Sequence, residues 1–469
     1  MLTGTYKRVA AGLLMLPLLT GCSYSNELDR VLEAGELRVL TRNAATTYYE
    51  GPAGPTGLEY HLAKGFADEL GVELKLITVS SVSDVVSELR QRRAHLAAAG
   101  LTITRERKNW ARFTPPYQTI SQQLVYRMGT VDRPDSISEL NGTLEVLADS
   151  SHAERLRELR KAHPQLTWME NGELETEELL MRVSEKAADF TIADSNELRL
   201  NQRFYPELRA AFDISDPQGL AWAFPRGPDD SLYDAAVDYF ERLKANGRLA
   251  QLIERHYGHV EKFDYVGTHM FMRHIRERLP DYRELLERAA AENDLDWRLL
   301  AAMAYQESHW DPKAVSPTGV RGFMMLTQAT ARFLGVQKRT DLWQSIEGGA
   351  RYTRKLIELV PERIDHPDRV WMALAAYNIG YGHLNDARII TQRKGEDADV
   401  WKNVKKNLPL LRKRAWYENT KHGYARGNEA ATYVGNIRSY YDILTWLTDQ
   451  EKPSPEELQA NFTIASPAL

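Results

Sequence analysis

The stretch that decides the fold of the C-terminal half is DWRLLAAMAYQESHWDP, residues 296–312. Asp296 is a favourable N-cap, so a helix is predicted to begin directly after it. The apolar residues of this helix recur at three- and four-residue spacing and form one stripe that faces a core: Leu299, Leu300, Met303 and Ala304. Glu307 lies on the same stripe. Because Pro312 disfavours further helix, the Glu307 carboxylate is predicted to lie on the last turn or just past it.

This position predicts an acid with a perturbed pKa. A carboxyl group on the apolar face of a helix end is poorly solvated and lies near the negative end of the helix dipole. Both effects raise the pKa of Glu307 and favour its protonated form at neutral pH, which is what a general acid requires. The alternative is that Glu307 simply reaches solvent at the end of its helix.

Further motifs follow Glu307 at regular intervals. The ordered set is Glu307-Ser308, Ser316-Pro317-x-Gly319, Gly322-Phe323-Met324, Ala376-Tyr377-Asn378 and Tyr433-Val434. In order and approximate spacing, this set resembles the lytic transglycosylase domain (SLT, goose-lysozyme-like). The resemblance implies an all-α, lysozyme-like fold for the C-terminal half, and strand signals are almost absent there.

The resemblance implies a peptidoglycan lytic transglycosylase with one catalytic carboxylate. Glu307 would protonate the glycosidic oxygen between MurNAc and GlcNAc and would then, as a carboxylate, deprotonate the C6 hydroxyl of the same MurNAc. That hydroxyl attacks C1 and closes a 1,6-anhydro ring. Glycosidases commonly use two carboxylates, whereas this reaction needs no second one, no cofactor and no metal. Asp311 is expected to cap its own turn.

The resemblance also implies the residues that bind the substrate: Ser316, Gly322, Met324, Tyr377, Asn378 and Tyr433. Tyr377 would hydrogen-bond near Glu307, Ser316 would contact the sugar, and Met324 with Gly322 would shape the floor of the cleft. The alternatives are that Tyr377 is a core tyrosine with a satisfied hydroxyl and that Met324 is a core residue. Met325 stands where the family often has Gln, so one polar sugar contact would be missing.

Length and composition limit the remaining possibilities. A chain of 469 residues is expected to form two or three domains, and its charged share of 27% is that of a soluble globular protein. The net charge of -5 gives no support for nucleic-acid binding. The sequence contains no HExxH motif, no P-loop, no Gly-x-Ser-x-Gly motif and no EF-hand loop, so the chemistries that depend on them are not expected.

Cys22 is the one cysteine of the chain, which excludes internal disulfides and Cys-based zinc sites. It follows a short basic start and an apolar run that is too short to span a membrane, a pattern typical of a secretory signal. Leu19-Thr20-Gly21-Cys22 resembles a bacterial lipobox, which implies removal of residues 1–21 and lipidation of Cys22. Ser23 then favours, by the same resemblance, anchoring at the periplasmic face of the outer membrane. The alternative is a signal peptide with a coincidental cysteine.

The N-terminal half alternates strands and helices and predicts a helix-covered, mainly parallel α/β sheet. Its motifs resemble the periplasmic amino-acid-binding (solute-binding) family: Leu37-Arg38-Val39, Gly57-Leu58-Glu59-Tyr60-His61-Leu62-Ala63, the Leu101 to Arg107 segment, Phe113-Thr114-Pro115-Pro116-Tyr117, Ile137-Ser138-Glu139-Leu140-Asn141-Gly142 and the Ala188 to Asp194 segment. The resemblance implies a two-lobed module over residues 34–262, with its second lobe at about 128–218.

In that family the ligand lies between the lobes, and matching positions occur here. Arg107 would clamp a carboxylate, Thr102 would add a hydroxyl, Ser150 and Ser151 would favour an anion at a helix start, and Asp194 would meet an ammonium group. The alternatives are a solvated arginine and a simple helix cap. Asp149 and His61 depart from the family pattern, so a muropeptide or peptide effector is expected rather than a free amino acid.

The predicted organisation is therefore multidomain. A tether at 22–33 precedes the module, a linker at 263–268 follows it, the catalytic domain covers 269–449, and a disordered tail covers 450–469. Three functions remain open: a lytic transglycosylase with an N-terminal ligand-sensing module, a lipid-anchored receptor for cell-wall fragments whose C-terminal domain only grips glycan, and a hydrolytic muramidase. Coupling between the two modules is a hypothesis, because it requires two states that differ in affinity.

Overall fold

The computed structural model describes residues 26–51, 54–79, 81–172, 174–259, 265–316 and 319–450. Cys22, the predicted signal peptide and the predicted tail beyond residue 450 lie outside the described residues. The described chain forms an α/β module of two lobes, followed by a helical domain. Within these ranges, no helix is both long enough and apolar enough to cross a membrane.

The first lobe is built on a five-stranded mixed sheet. In spatial order its strands are Glu73–Val79, Glu36–Arg42, Leu96–Ala97, Ala223–Pro225 and Ala111–Phe113. The first three run parallel, and Ala223–Pro225 is antiparallel to both of its neighbours. The helices of this lobe are Glu27–Ala34, Leu58–Leu70, Val82–Arg90, Ser231–Ala245 and Arg248–Tyr257. The sheet is therefore mixed rather than mainly parallel, although the predicted α/β order is confirmed.

The second lobe has its own mixed sheet, with the strand order Met169–Asn171, Leu144–Leu147, Phe190–Asp194, Gln122–Arg127 and Leu208–Asp213. Its helices are Ser151–Leu159, Thr176–Ser184 and Ser195–Asn201. Two short strands, Gln118–Ile120 and Gln218–Leu220, pair antiparallel and carry the chain between the lobes. The second lobe thus begins at Gln122 rather than at about 128, because apolar alternation alone does not show which sheet a strand joins.

The helical domain contains Tyr265–Glu277, Arg283–Glu292, Trp297–Ser308, Gln328–Phe333, Leu342–Leu359, Asp368–Ile379, Tyr381–Arg393, Trp401–Asn407, Arg414–Tyr417 and Gly427–Gln450. Residues 265–268 of the expected linker are helical. Gly380 does end the helix before it with a φ of 89°, as the sequence indicates, but a new helix starts immediately after it. A glycine with positive φ thus ends one helix here without preventing the next from starting.

Trp297–Ser308, hereafter the Glu307 helix, lies at the centre of this domain. Asp296 caps it as predicted, accepting a hydrogen bond from the backbone N–H of Arg298. Every residue from Leu300 to Tyr305 is buried, so the predicted one-sided stripe is wrong. The helix is enclosed on all sides, in part by Gly427–Gln450, hereafter the C-terminal helix, which packs along it. A run rich in Ala allows this close approach.

The module and the helical domain meet through buried charged groups. Arg438, on the C-terminal helix, donates to the Glu254 carboxylate at 3.1 Å, and Arg255 donates to Asp368 at 3.0 Å. Arg438, Glu254 and Asp368 are all buried. Since a buried charge is costly unless it is paired and hydrogen-bonded, these pairs fix how the two parts contact each other.

Candidate active site and interlobe cleft

The Glu307 helix ends in a tight reversal just after its acid. His309 and Trp310 both have positive φ values, 51° and 56°. Such conformations cost non-glycine residues on the order of 1 kcal/mol each. The Trp310 ring is fully buried, and its Nε1 donates to the Ala301 carbonyl at 2.9 Å. Burial of the ring offsets the backbone cost and holds the last turn, where Glu307 lies, in place.

The Glu307 carboxyl group is partly buried and has one hydrogen-bonding side chain. The Tyr433 hydroxyl, on the C-terminal helix, donates to Glu307 Oε1 at 2.6 Å. Burial raises the pKa of Glu307 to about 7, and the hydrogen bond from Tyr433 partly opposes that rise. A carboxyl group with this pKa is protonated in a large fraction of molecules at neutral pH, as general acid catalysis requires.

The structure separates the roles of the two tyrosines. The Tyr377 hydroxyl donates to the Met324 carbonyl at 2.9 Å, so the expected hydrogen bond near Glu307 comes from Tyr433 and not from Tyr377. Burial, followed by the charge of Glu307, raises the pKa of both hydroxyls well above the usual value for tyrosine. Both hydroxyls are therefore protonated, and able to donate, at neutral pH. Tyr377 acts on the site through the backbone at Met324.

Met324 and Gly322 support the site from the core. The Met324 side chain is fully buried against Gly349. It therefore cannot form the floor of the cleft, contrary to our expectation. Its backbone N–H donates to Ser345 Oγ at 3.1 Å. Gly322 has a φ of 106°, and a Cβ there would lie 2.2 Å from the carbonyl oxygen of Arg339. Only glycine fits that position.

The remaining predicted substrate-binding residues lie in loops or at a helix end. Ser316 closes a turn with Val320: its N–H donates to the Val320 carbonyl at 2.8 Å, and its Oγ accepts from the Val320 N–H at 3.0 Å. Residues 317 and 318 lie outside the described residues. Asn378 is exposed on the last turn of the helix Asp368–Ile379, next to Tyr377. Asp311 is exposed and accepts from the Lys313 N–H at 2.9 Å, so it caps its turn as predicted.

The predicted ligand residues of the N-terminal module come together between the lobes. Arg107, from the first lobe, is buried and donates to the carbonyls of Thr102 and Asp149 at 3.3 and 3.4 Å. Its Nε lies 3.5 Å from a Glu154 oxygen of the second lobe. Ser151 Oγ donates across the cleft to Thr102 Oγ1 at 3.4 Å. Ser150 is engaged as the N-cap of the helix Ser151–Leu159, the simpler of its two predicted roles.

Asp194 accepts from the buried side chain of His152, at 3.0 Å from Nε2. With Glu197 these residues form a group whose possible ligand atoms lie within 4.8 Å of one another. Both carboxylates are already used as a reciprocal helix cap, and Arg42 lies 3.9 Å from Glu197. The two carboxylates are therefore satisfied by protein groups, whereas the buried Nδ1 of His152 has no hydrogen-bond partner among the described residues.

A contact between the lobes was missed by the sequence analysis. Arg42 ends the strand Glu36–Arg42 and donates to a Glu175 oxygen of the second lobe at 2.6 Å, while the Ala45 N–H donates to Glu177 at 3.1 Å. The detectable signal was a charged residue at the end of a largely buried strand. Its partner is 133 positions away, so no local pattern could identify it.

Comparison with known proteins agrees with this two-part architecture. The family model for the transglycosylase SLT domain matches residues 284–400, and that for bacterial extracellular solute-binding proteins, family 3, matches residues 37–259. Both family resemblances inferred from the motifs are thereby confirmed, as are the α/β two-lobed module and the helical SLT domain.

Relatives match along nearly the whole chain. Membrane-bound lytic murein transglycosylase F 1 of Alkalilimnicola ehrlichii is 53% identical and covers 94% of this chain and 89% of its own length. The protein named membrane-bound lytic murein transglycosylase F in Saccharophagus degradans is 49% identical over 89% of this chain and 84% of its own. Among solved structures, the amino acid ABC transporter substrate-binding protein AbpA of Streptococcus pneumoniae, bound to L-arginine, is 22% identical, with 50% of this chain and 100% of its own covered and a TM-score of 0.45.

Proposed function

This chain belongs to the membrane-bound lytic murein transglycosylase F family and is a lytic murein transglycosylase, and we propose that Glu307 is its catalytic acid and base. The substrate bond is the β-1,4 linkage from MurNAc to GlcNAc, and the product ends in 1,6-anhydroMurNAc. The observation that carries this proposal is a single carboxyl group with a pKa near 7, held by one tyrosine hydroxyl.

In this proposal the two oxygens of Glu307 have separate tasks. Oε1 accepts the Tyr433 hydrogen bond, so Oε2 is the oxygen that carries the proton in the acid form. Oε2 gives this proton to the glycosidic oxygen as the bond to C1 breaks. The resulting carboxylate keeps its hydrogen bond from Tyr433, which stabilises the charge as it forms.

The second half of the reaction restores the enzyme. The carboxylate takes the proton of the C6 hydroxyl, and the C6 oxygen forms a bond to C1 of the same MurNAc. One proton leaves Glu307 and one returns, so the cycle requires no water, no second carboxylate and no cofactor. The substrate's own acetamido group can stabilise the positive charge that develops at C1.

Digestion of purified sacculi by wild type and Glu307→Gln tests the role of Glu307. Wild type is expected to release products with anhydro ends, detected by mass spectrometry, and the variant none. Asp311→Asn is the matched control, because Asp311 is a nearby exposed acid that only caps its turn. If Glu307→Gln still lyses sacculi, another residue must be the catalytic acid. If the wild-type products have reducing ends instead of anhydro ends, the enzyme is a hydrolytic muramidase.

We infer further that the cleft between the lobes binds a muropeptide or peptide and regulates the enzyme. Arg107 is a buried guanidinium suited to a carboxylate, and Asp194 is an acid suited to an ammonium group. Titration calorimetry with muropeptides and with free amino acids tests this, with Arg107→Gln as the binding-deficient variant. If no ligand gives a heat of binding, the module does not bind these compounds and serves only as a spacer.

The C-terminal helix offers a physical route for regulation. It carries Tyr433, bonded to Glu307, and Arg438, bonded to Glu254 of the N-terminal module. A ligand that shifts the module would displace the helix that holds the catalytic acid. Addition of the ligand found by calorimetry should change the kcat of wild type and leave that of Arg107→Gln unchanged.

Lipidation of Cys22 is the proposed means of attachment to the outer membrane. Radiolabelled palmitate should enter wild type and not Cys22→Ala, and wild type should fractionate with outer-membrane vesicles. Equal labelling of both proteins would contradict this anchor.

A further inference from the structure

Residues 401–426, hereafter the basic segment, carry a concentrated positive charge. They contain Lys402, Lys405, Lys406, Arg412, Lys413, Arg414, Lys421 and Arg426 against the single acid Glu418. The net charge of the whole chain is -5, so the average composition hides this segment. Trp416, Tyr417 and Tyr424 lie among these cations, and Tyr424 is 52% exposed.

Part of this charge is not paired with an acid among the described residues. Lys405 pairs with Glu254, and Arg414 pairs with Glu418. Lys413 and Lys421 are exposed, and no acid of the described chain forms an ion pair with either. Exposed charges of one sign repel each other unless a counter-charge binds, which points to an anionic partner.

An open surface depression of about 490 Å³ is formed by the basic segment together with Arg393. Arg393, Ala415, Trp416 and Asn419 line it. Arg393 Nη1 donates to the Asn419 carbonyl at 2.8 Å, which fixes the guanidinium and leaves its other N–H groups for a ligand. Trp416 is partly buried against the domain core. A guanidinium, an amide and an indole suit a carboxylate attached to a small apolar group.

The basic segment is joined near its C-terminal end to two helices of the catalytic domain. Lys421 and His422 donate their backbone N–H groups to the buried Asp386 carboxylate at 3.2 and 2.8 Å, on the helix that follows Gly380 and the Tyr377 helix. Directly after residue 426, the segment runs into the C-terminal helix, which starts at Gly427 and reaches Tyr433 six residues later, about 9 Å along the helix axis.

We propose that the basic segment and Arg393 bind the carboxylates of stem peptides carried by MurNAc residues beside the cleavage point. This proposal rests on the proposed function, because it assigns a second contact to the same substrate. The glycan backbone of amino sugars is uncharged, since the lactyl group of MurNAc is amide-linked to the stem. The stem peptides carry the free carboxylates, so they, rather than the sugars, match the charge of the segment.

The test compares two substrates of the same glycan length. Stem-bearing strands keep the free carboxylates of their stem peptides, whereas stripped strands are the same strands after those carboxylates have been stripped of charge by conversion to methylamides, which leaves the lactyl amide intact. The test variant is Arg393→Gln/Lys413→Gln/Lys421→Gln. The control is Lys161→Gln/Lys244→Gln, which removes exposed cations from the N-terminal module.

Wild type is expected to have a lower KM for stem-bearing strands than for stripped ones. The test variant should raise the KM for stem-bearing strands by roughly tenfold, the size expected for three solvent-exposed ion pairs, with an unchanged kcat. The KM for stripped strands should not change, and the control should behave as wild type. Raising the salt concentration should reduce the wild-type preference.

Other outcomes overturn the proposal in distinct ways. The proposal fails if wild type has equal KM values for the two substrates, or if the test variant raises the KM equally for both. Either result would show that the basic segment does not bind the stem carboxylates. Loss of binding to phosphatidylglycerol vesicles in the test variant, with KM unchanged, would assign the segment to a membrane surface instead. Failure of wild type to cleave either substrate would refute the proposed function itself.

Discussion

The hydrogen bond from Tyr433 to Glu307 sets how strongly the catalytic acid holds its proton, and Tyr433→Phe removes only the hydroxyl. The bond is 2.6 Å long and favours the carboxylate form. A hydrogen bond to a charged group contributes about 1.5–3 kcal/mol, and one pKa unit corresponds to about 1.4 kcal/mol. The pKa of Glu307 should therefore rise from its present value of about 7 by a further one to two units.

This change has a defined sign in a pH–rate profile. The reaction starts from the protonated acid, so activity falls as the pH rises through the pKa of Glu307. In wild type the alkaline limb of kcat/KM should lie near pH 7, given the pKa of about 7. In Tyr433→Phe the limb should move to about pH 8–9, with a lower maximum because the carboxylate that takes the C6 proton is less stabilised.

Turnover of soluble muropeptides measured from pH 5 to 10 would show the shift. Tyr377→Phe is the matched control, because it loses a hydrogen bond to the Met324 carbonyl and none to Glu307. It should lower thermal stability and leave the alkaline limb in place. A limb that stays near pH 7 in Tyr433→Phe, or moves to lower pH, would contradict the role assigned to this tyrosine.

Three further predictions concern stability and are checked by urea denaturation. Glu307→Gln should stabilise the protein at pH 8 by up to about 3 kcal/mol and give no gain at pH 4, because a carboxyl group with a raised pKa contributes stability below its unfolded pKa and loses it as the pH rises through its folded value. Arg438→Ala should cost about 3–5 kcal/mol, since it leaves the buried Glu254 with one partner fewer, whereas Arg414→Ala, at an exposed pair, should cost less than about 1 kcal/mol. Gly322→Ala should cost at least about 2 kcal/mol, because its Cβ would meet a backbone carbonyl at a positive φ.

Local patterns predicted the Glu307 helix well because its start and end are set by neighbours in sequence. Asp296 and the reversal at residues 309–310 lie within one helix length of Glu307. The enclosure of the helix was not predictable in the same way. It depends on the C-terminal helix, which packs along it from more than a hundred residues away and supplies Tyr433.

The sequence alone could not identify which side chains pair with each other across the fold. Tyr377 and Tyr433 are both aromatic residues next to a motif, and only their three-dimensional placement shows which one touches Glu307. The contact of Arg42 with Glu175 joins two lobes folded from separate sheets. Such pairs are fixed by tertiary packing, whereas caps and turns are fixed by adjacent residues.

The route of the C6 oxygen is tested most directly by digesting sacculi with wild type in water enriched in oxygen-18 and weighing the released muropeptides. If the Glu307 carboxylate is reprotonated by the C6 hydroxyl, the products carry an anhydro ring and no oxygen-18. Products that end in a reducing MurNAc labelled with oxygen-18 would mean that water, and not the substrate's own hydroxyl, attacks C1.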